Sequence, residues 1–157
     1  MRQFFALRIG WVIAIFAFLD LVCVALGMGV PIFCILFGLP VGWYIARRVA
    51  TGRLQVGQML SKALVGAVFT SAFTFLMMSL LWGRCVVMLF DPRADLANFG
   101  IPLILYDPKA SFVGWLALMI VISPFLQLLM TLFGWHLTMM WRLGRDAGIG
   151  EGQAGPA

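Results

Sequence analysis

The chain has 157 residues, 63% of them hydrophobic and 11% charged, with a net charge of +5 and a mean hydropathy of +1.04. Soluble domains average about 45–50% apolar and about 25% charged residues, so a water-soluble fold of this length has no interior large enough for so much apolar surface, and the composition calls for a bilayer as solvent. The positive charge does not point to nucleic acid, because the basic residues stand at the ends of apolar runs, where lipid headgroups lie.

Arg2 and Arg8 precede the first apolar run. At about 19 residues it exceeds the 7–15 of a signal-peptide core, and Asp20 interrupts it. We therefore expect a retained first span over 9–27, with cleavage after a poor Ala25-Leu26-Gly27 site as the alternative. The glycines of 27–31 and Pro31 predict a tight turn. A second span over 31–46 is short, and Pro40 removes one backbone hydrogen bond and predicts a kink. A re-entrant second segment is the competing reading.

Residues 47–62 carry Arg47, Arg48, Arg53 and Lys62 and no acid. This basic break reads as a cytoplasmic anchor between two helical hairpins. Gly52 and Gly57 weaken any helix there, and Val49, Val56 and Leu60 can rest on the interface. A third span follows over 63–84. The outer loop repeats an aromatic-Asp-Pro-basic pattern, Phe90-Asp91-Pro92-Arg93 and Tyr106-Asp107-Pro108-Lys109. Asp caps helix N-termini and Pro suits the first helical position, so a short interfacial helix is expected from Asp91 to near Gly100, and the fourth span starts after Asp107. The alternative is a ligand or cation site built from Asp91, Asp95 and Asp107. Apolar residues 101–105 are expected to dip into the headgroups. The fourth span, 111–141, is too long for a straight crossing of about 30 Å, so it tilts, kinks at Pro124 or projects. Residues 147–157 read as a flexible cytoplasmic tail.

With the N-terminus inside, the inner side holds Arg2, Arg8, Arg47, Arg48, Arg53, Lys62, Arg142 and Arg145, and the outer side Arg84, Arg93 and Lys109. That is the positive-inside bias, and both termini are expected in the cytoplasm. The expected fold class is all-α: a polytopic membrane protein of four transmembrane helices in two hairpins, in a bacterial-type plasma membrane.

Helices in lipid associate through close backbone approach or polar contacts. Gly38, Gly42 and Ala46 form one small-residue stripe on the second span. Ala63, Ala67 and Ser71, with Gly66, Thr70 and Thr74, form two on the third. Packing of the second span on the third is the expected use, and a homo-oligomer or partner-subunit face is the alternative.

Asp20 is the one acid inside an apolar run. It lies about 18 Å past Arg8, at 1.5 Å per residue, hence in the outer half. A carboxylate there costs several kcal/mol unless it is protonated or paired. Arg84 is expected to reach it by snorkelling, with Gln127 and Ser123 as hydrogen-bond partners. Two uses follow: a structural lock on helix register, or a proton- or ion-coupling acid.

Cys23, Cys34 and Cys85 form no C-x-x-C pair and read as small apolar residues rather than redox centres. His136, near the inner end of the fourth span, cannot build a metal site alone and lies at the wrong depth for Asp20. No P-loop, G-x-S-x-G, H-E-x-x-H or dinucleotide-binding fingerprint is present, so no cofactor and no catalytic group is assigned. The expected function is a non-enzymatic accessory, assembly or packing subunit. A small transporter or channel using Asp20 is the alternative.

Overall fold

A backbone crossing hydrocarbon must satisfy its polar groups within the segment, which makes apolar runs helical. The computed structural model describes the backbone of residues 9–26, 31–50, 56–100 and 105–151, and the side chains of 10–25, 31–49, 57–100 and 105–145. The elements are α1 (Ile9–Leu26), α2 (Ile32–Ala50), α3 (Val56–Met88), α4 (Pro108–Ala117), a π-helical turn (Leu118–Ile122) and α5 (Ser123–Glu151). There is no strand among the described residues. Three helical stretches are long and apolar enough to cross a membrane: Ile32–Val49, Gly57–Met88 and Pro108–Arg145. The first helix is apolar but shorter, Gly10–Ala25 by the same measure. The turn expected at 27–30, the loop at 51–55, most of the apolar stretch at 101–104 and the chain end at 152–157 lie outside the described residues.

Several helices are longer than the sequence suggests. α2 passes Pro40 and continues through Arg47 and Arg48, which removes the short length that favoured a re-entrant segment. Cations in the last turn complement the helix dipole. Local pairs hold that turn as well: Arg48 Nη1 donates to Tyr44 Oη at 3.2 Å, and the Arg47 guanidinium lies 5.0 Å over the Trp43 ring, both at the i,i+4 spacing that brings side chains together. α3 begins already at Val56, so residues 56–62 of the expected basic break are helical. Its 33 residues span about 50 Å at 1.5 Å each, more than a hydrocarbon core of about 30 Å. α5 continues to Glu151, into the segment expected as a flexible tail.

The two aromatic-Asp-Pro-basic motifs behave differently. Asp107 is an N-cap with φ −89° and ψ 116°, accepting from the Lys109 N–H at 3.0 Å with Pro108 in the first turn. The Ser111 hydroxyl ties this start down by accepting from the Leu105 N–H (2.8 Å) and donating to the Leu105 carbonyl (3.0 Å). The interfacial helix expected after Asp91 is absent: residues 89–100 are turns. Asp91 closes a local turn by accepting from the Arg93 N–H at 2.9 Å, and Asp95 binds Asn98 in the same way. Asx turns of this kind compete with helix. Gly100 then takes φ +88°, the left-handed region that favours glycine.

α5 is the central element. Its largest interface is with α2, followed by α3, while α1 packs on α2 and α3. The α2–α5 contact is backbone against backbone. A Cβ at Gly38 would stand 2.5 Å from the Gln127 carbonyl oxygen, one at Gly42 would overlap the Thr131 carbonyl oxygen, and one at Gly134 would stand 2.5 Å from the Leu39 carbonyl oxygen. Ala46 continues the stripe and is fully buried. The small stripe Gly38/Gly42 of α2 therefore receives α5, not α3 as expected. Gly66 is where α3 meets α2, with a hypothetical Cβ 2.9 Å from Ile45 Cδ1.

Where α3 ends and α4 begins, Phe112, Trp115, Leu116 and Met119 form a core with Trp82, Leu96 and Phe99. Trp82 and Trp115 meet edge to face at 4.7 Å, and Phe99 meets Phe112 edge to face at 5.1 Å. The segment 89–100 is thus folded back onto the helix ends through an aromatic side chain.

Candidate functional site

Asp20 is fully buried, although most of α1 around it is exposed, Phe18, Leu19 and Leu21 included. Helical periodicity turns Asp20 and Val24, four residues apart, inward together, and both are buried. The carboxylate meets α3 and α5 there. Thr74 Oγ1 donates to Asp20 Oδ1 at 2.9 Å, and Gln127 Nε2 donates to the same oxygen at 3.2 Å. Thr74 and Gln127 are also fully buried. Three helices therefore converge on one oxygen atom.

The expected Asp20–Arg84 pair is not formed. Arg84 is exposed on α3, and the carboxylate takes neutral donors instead. Ser123 is buried, yet its hydroxyl donates to the Leu118 carbonyl at 2.6 Å. It serves a carbonyl of the π turn rather than Asp20. Of the three residues expected to make a polar site, Asp20 and Gln127 come together and Arg84 does not. Thr74, expected as a packing residue, is the third member.

The other buried hydroxyls follow backbone carbonyls. Thr70 reaches Gly66 and Ala67, Thr131 reaches Gln127, and Thr138 reaches Gly134. Ser71 is the exception that crosses between helices: it donates to the Pro124 carbonyl on α5 at 2.6 Å. Threonine and serine in lipid satisfy themselves on the preceding turn, whereas at the Asp20 node side chains of three different helices bind one another.

Two polar atoms of the node have no hydrogen-bond partner: Asp20 Oδ2 and Gln127 Oε1. Both are acceptors when the acid is ionised. Val24, Cys34 and Met78 lie in one core cluster, with Cys23 and Trp82 packed against it. The three cysteines are free thiols, and Cys23 and Cys34 lie within electrostatic reach of Asp20.

Elsewhere the candidates disperse. Asp91, Asp95 and Asp107 are each engaged by their own neighbouring backbone, and no group of three or more metal-ligating side chains occurs among the described residues. His136 is exposed on α5. Phe99 escaped sequence reasoning. A lone aromatic in a loop carries no periodicity, and the only available signal was its place between two turn-forming acids. Comparison with known proteins finds no matching family, no matching curated protein and no matching solved structure.

Proposed function

We propose that the chain is an integral membrane protein of four spans in two hairpins, with both termini cytoplasmic, and that Asp20 is its working group. It would act as a small transporter or channel without enzymatic activity, coupling a proton or cation at mid-bundle. One observation carries this reading: a fully buried carboxylate with one unmet oxygen and no cationic partner among the described residues. Ionisable groups inside membranes are rare because they are costly, and they concentrate on ion pathways and proton relays.

The test is flux. The protein is reconstituted in vesicles carrying an imposed proton or sodium gradient, and dissipation of the gradient is followed for wild type and Asp20→Asn. Flux through the wild type, lost in a variant that still folds, supports the reading. Equal flux in both sinks it.

A second reading has its own support. Asp20 and Val24 are the buried residues of α1, so the node is a principal attachment of that helix. The protein would then be an accessory or assembly subunit, held by the same hydrogen bonds and presenting its apolar faces to a partner or a second copy. Co-purification of a stoichiometric membrane partner in mild detergent, with no flux, would favour it.

A further inference from the structure

The unmet atoms of the node belong to the two groups that already share a hydrogen bond. Gln127 Nε2 donates to Asp20 Oδ1, and the atoms left over are Oδ2 of the same carboxyl and Oε1 of the same amide. Both side chains are fully buried. Two buried acceptors with no donor are among the costlier arrangements in a protein interior, and the cost rises in hydrocarbon. One added hydrogen on Oδ2 removes both defects. The carboxylic acid then donates from Oδ2 while its other oxygen accepts from the amide, and the amide accepts at Oε1 while donating from Nε2. Oδ1 then accepts from both Thr74 and Gln127, and each of the two unmet oxygens gains a partner.

A metal cation fits less well. Hard divalent cations take about six or more oxygen ligands, whereas two unmet oxygens are present here. Among the described residues, the side chains that hydrogen-bond Asp20 are the neutral Thr74 and Gln127, and Arg84 is exposed. Among the described residues, the polar and titratable groups near Asp20 are Thr74 from α3, Gln127 from α5 and the thiols Cys23 of α1 and Cys34 of α2.

We propose that Asp20 and Gln127 form a neutral acid–amide pair that binds one proton, held on Asp20 Oδ2 and shared with Gln127 Oε1. This rests on the reading of Asp20 as an ion-binding group and names the ion. Gln127 is a positioning residue: it touches the proton's acceptor face and holds the carboxyl in register. The proton is taken from water and returned to it, with only the O–H bond formed and broken.

Infrared difference spectroscopy of the full chain in lipid vesicles at neutral pH tests the pair. The expected result is a protonated-carboxyl stretching band that shifts on deuteration and is missing from Asp20→Asn. It should move to higher frequency in Gln127→Leu, where the acid loses its acceptor. Aspartate labelled with carbon-13 at the carboxyl assigns the band to an aspartate in the wild type; Asp91, Asp95 and Asp107 are exposed to water, and an Asp146→Asn variant that keeps the band leaves Asp20. Carboxylate bands alone, a carboxylate band that responds to sodium, or an acid band indifferent to Gln127→Leu would each overturn the proposal. The transport reading fails separately: a protonated pair in a protein without flux removes transport and leaves the pair, and flux through an ionised Asp20 does the reverse.

Discussion

Asp20 and Gln127 are separated by 107 positions in the chain, and a single 3.2 Å hydrogen bond joins their side chains in the interior of the bundle. The bond ties the first helix to the last. Both side chains are fully buried, so this bond stands in for part of the hydration that each has lost.

That dependence has a measurable sign. Asp20→Leu leaves the Gln127 amide without a partner in an apolar interior, at a cost of about 1–3 kcal/mol. Asp20→Asn keeps an acceptor and gains a donor, and should stay close to wild type. Replacing both partners by apolar groups removes the unmet atoms altogether, so the Asp20→Leu, Gln127→Leu double variant should be more stable than Asp20→Leu alone. Thermal unfolding in detergent ranks the four proteins, and a double variant weaker than the single would contradict the account.

Gly42 sets how near α2 and α5 approach. Gly42→Val drives a side chain into the Thr131 carbonyl, and overpacking of this kind costs about 1–3 kcal/mol or more. Gly83 on α3 meets nothing within 4 Å, so Gly83→Ala should be neutral or slightly stabilising, given a helix-propensity gain of up to about 1 kcal/mol. Unfolding in sodium dodecyl sulfate distinguishes the two glycines, and equal effects would show that close approach is not what Gly42 provides.

Ser71→Ala removes the 2.6 Å bond to the Pro124 carbonyl and nothing else of size. Interhelical hydrogen bonds in membrane proteins average about 0.6 kcal/mol, so the loss should be well below that of Asp20→Leu. The same unfolding assay reads it.

Phe99→Ala takes away the aromatic contact that lays the outer loop over Phe112 and Trp115. Partial burial of a phenylalanine is worth about 1–3 kcal/mol. Hydrogen exchange should accelerate across 89–100 while the buried core of α5 keeps its protection, and Trp82 and Trp115 fluorescence should shift toward that of solvated indole.

The proposed sidedness rests on the charge count and can be tested directly. A cysteine placed at Asn98 in a variant lacking the native thiols should react with an impermeant maleimide from outside the cell, and one at Arg145 only after lysis. The opposite pattern would invert the assigned orientation.

How much of this was legible in the sequence differs from residue to residue. Asp20 announced itself, because an acid in an apolar run has to be explained. Its partners were harder. Arg84 suited by charge and depth, but depth along a helix says nothing about facing, and Arg84 points away. Thr74 was visible as a small residue on a stripe, and its hydroxyl mattered more than its size. The Gly38/Gly42 stripe was equally visible, whereas its receiver was not: a surface that accepts a close approach through its carbonyls, as α5 does at Gln127 and Thr131, leaves no trace in side-chain spacing. The Asp107 cap and the Asp91 turn share one local motif. They part because Phe112, Trp115 and Leu116 follow the first at helical spacing and are buried, and no such series follows the second.

The π turn at Leu118–Ile122 has a consequence for rotational phase. Trp115, Met119, Ser123, Gln127 and Thr131 are all buried at successive intervals of four. On an unbroken α-helix the last of these would have rotated about 160° from the first, at about 100° per residue, placing Gln127 and Thr131 away from the interior that Trp115 faces. A π turn takes up one residue without advancing the face, and the drift falls to about 60°. The aromatic half of the rod and the polar half thereby point the same way. A chain one residue shorter within 118–122 would carry the same two faces on a regular α-helix, whereas one shortened between 124 and 127 would swing the amide off Asp20.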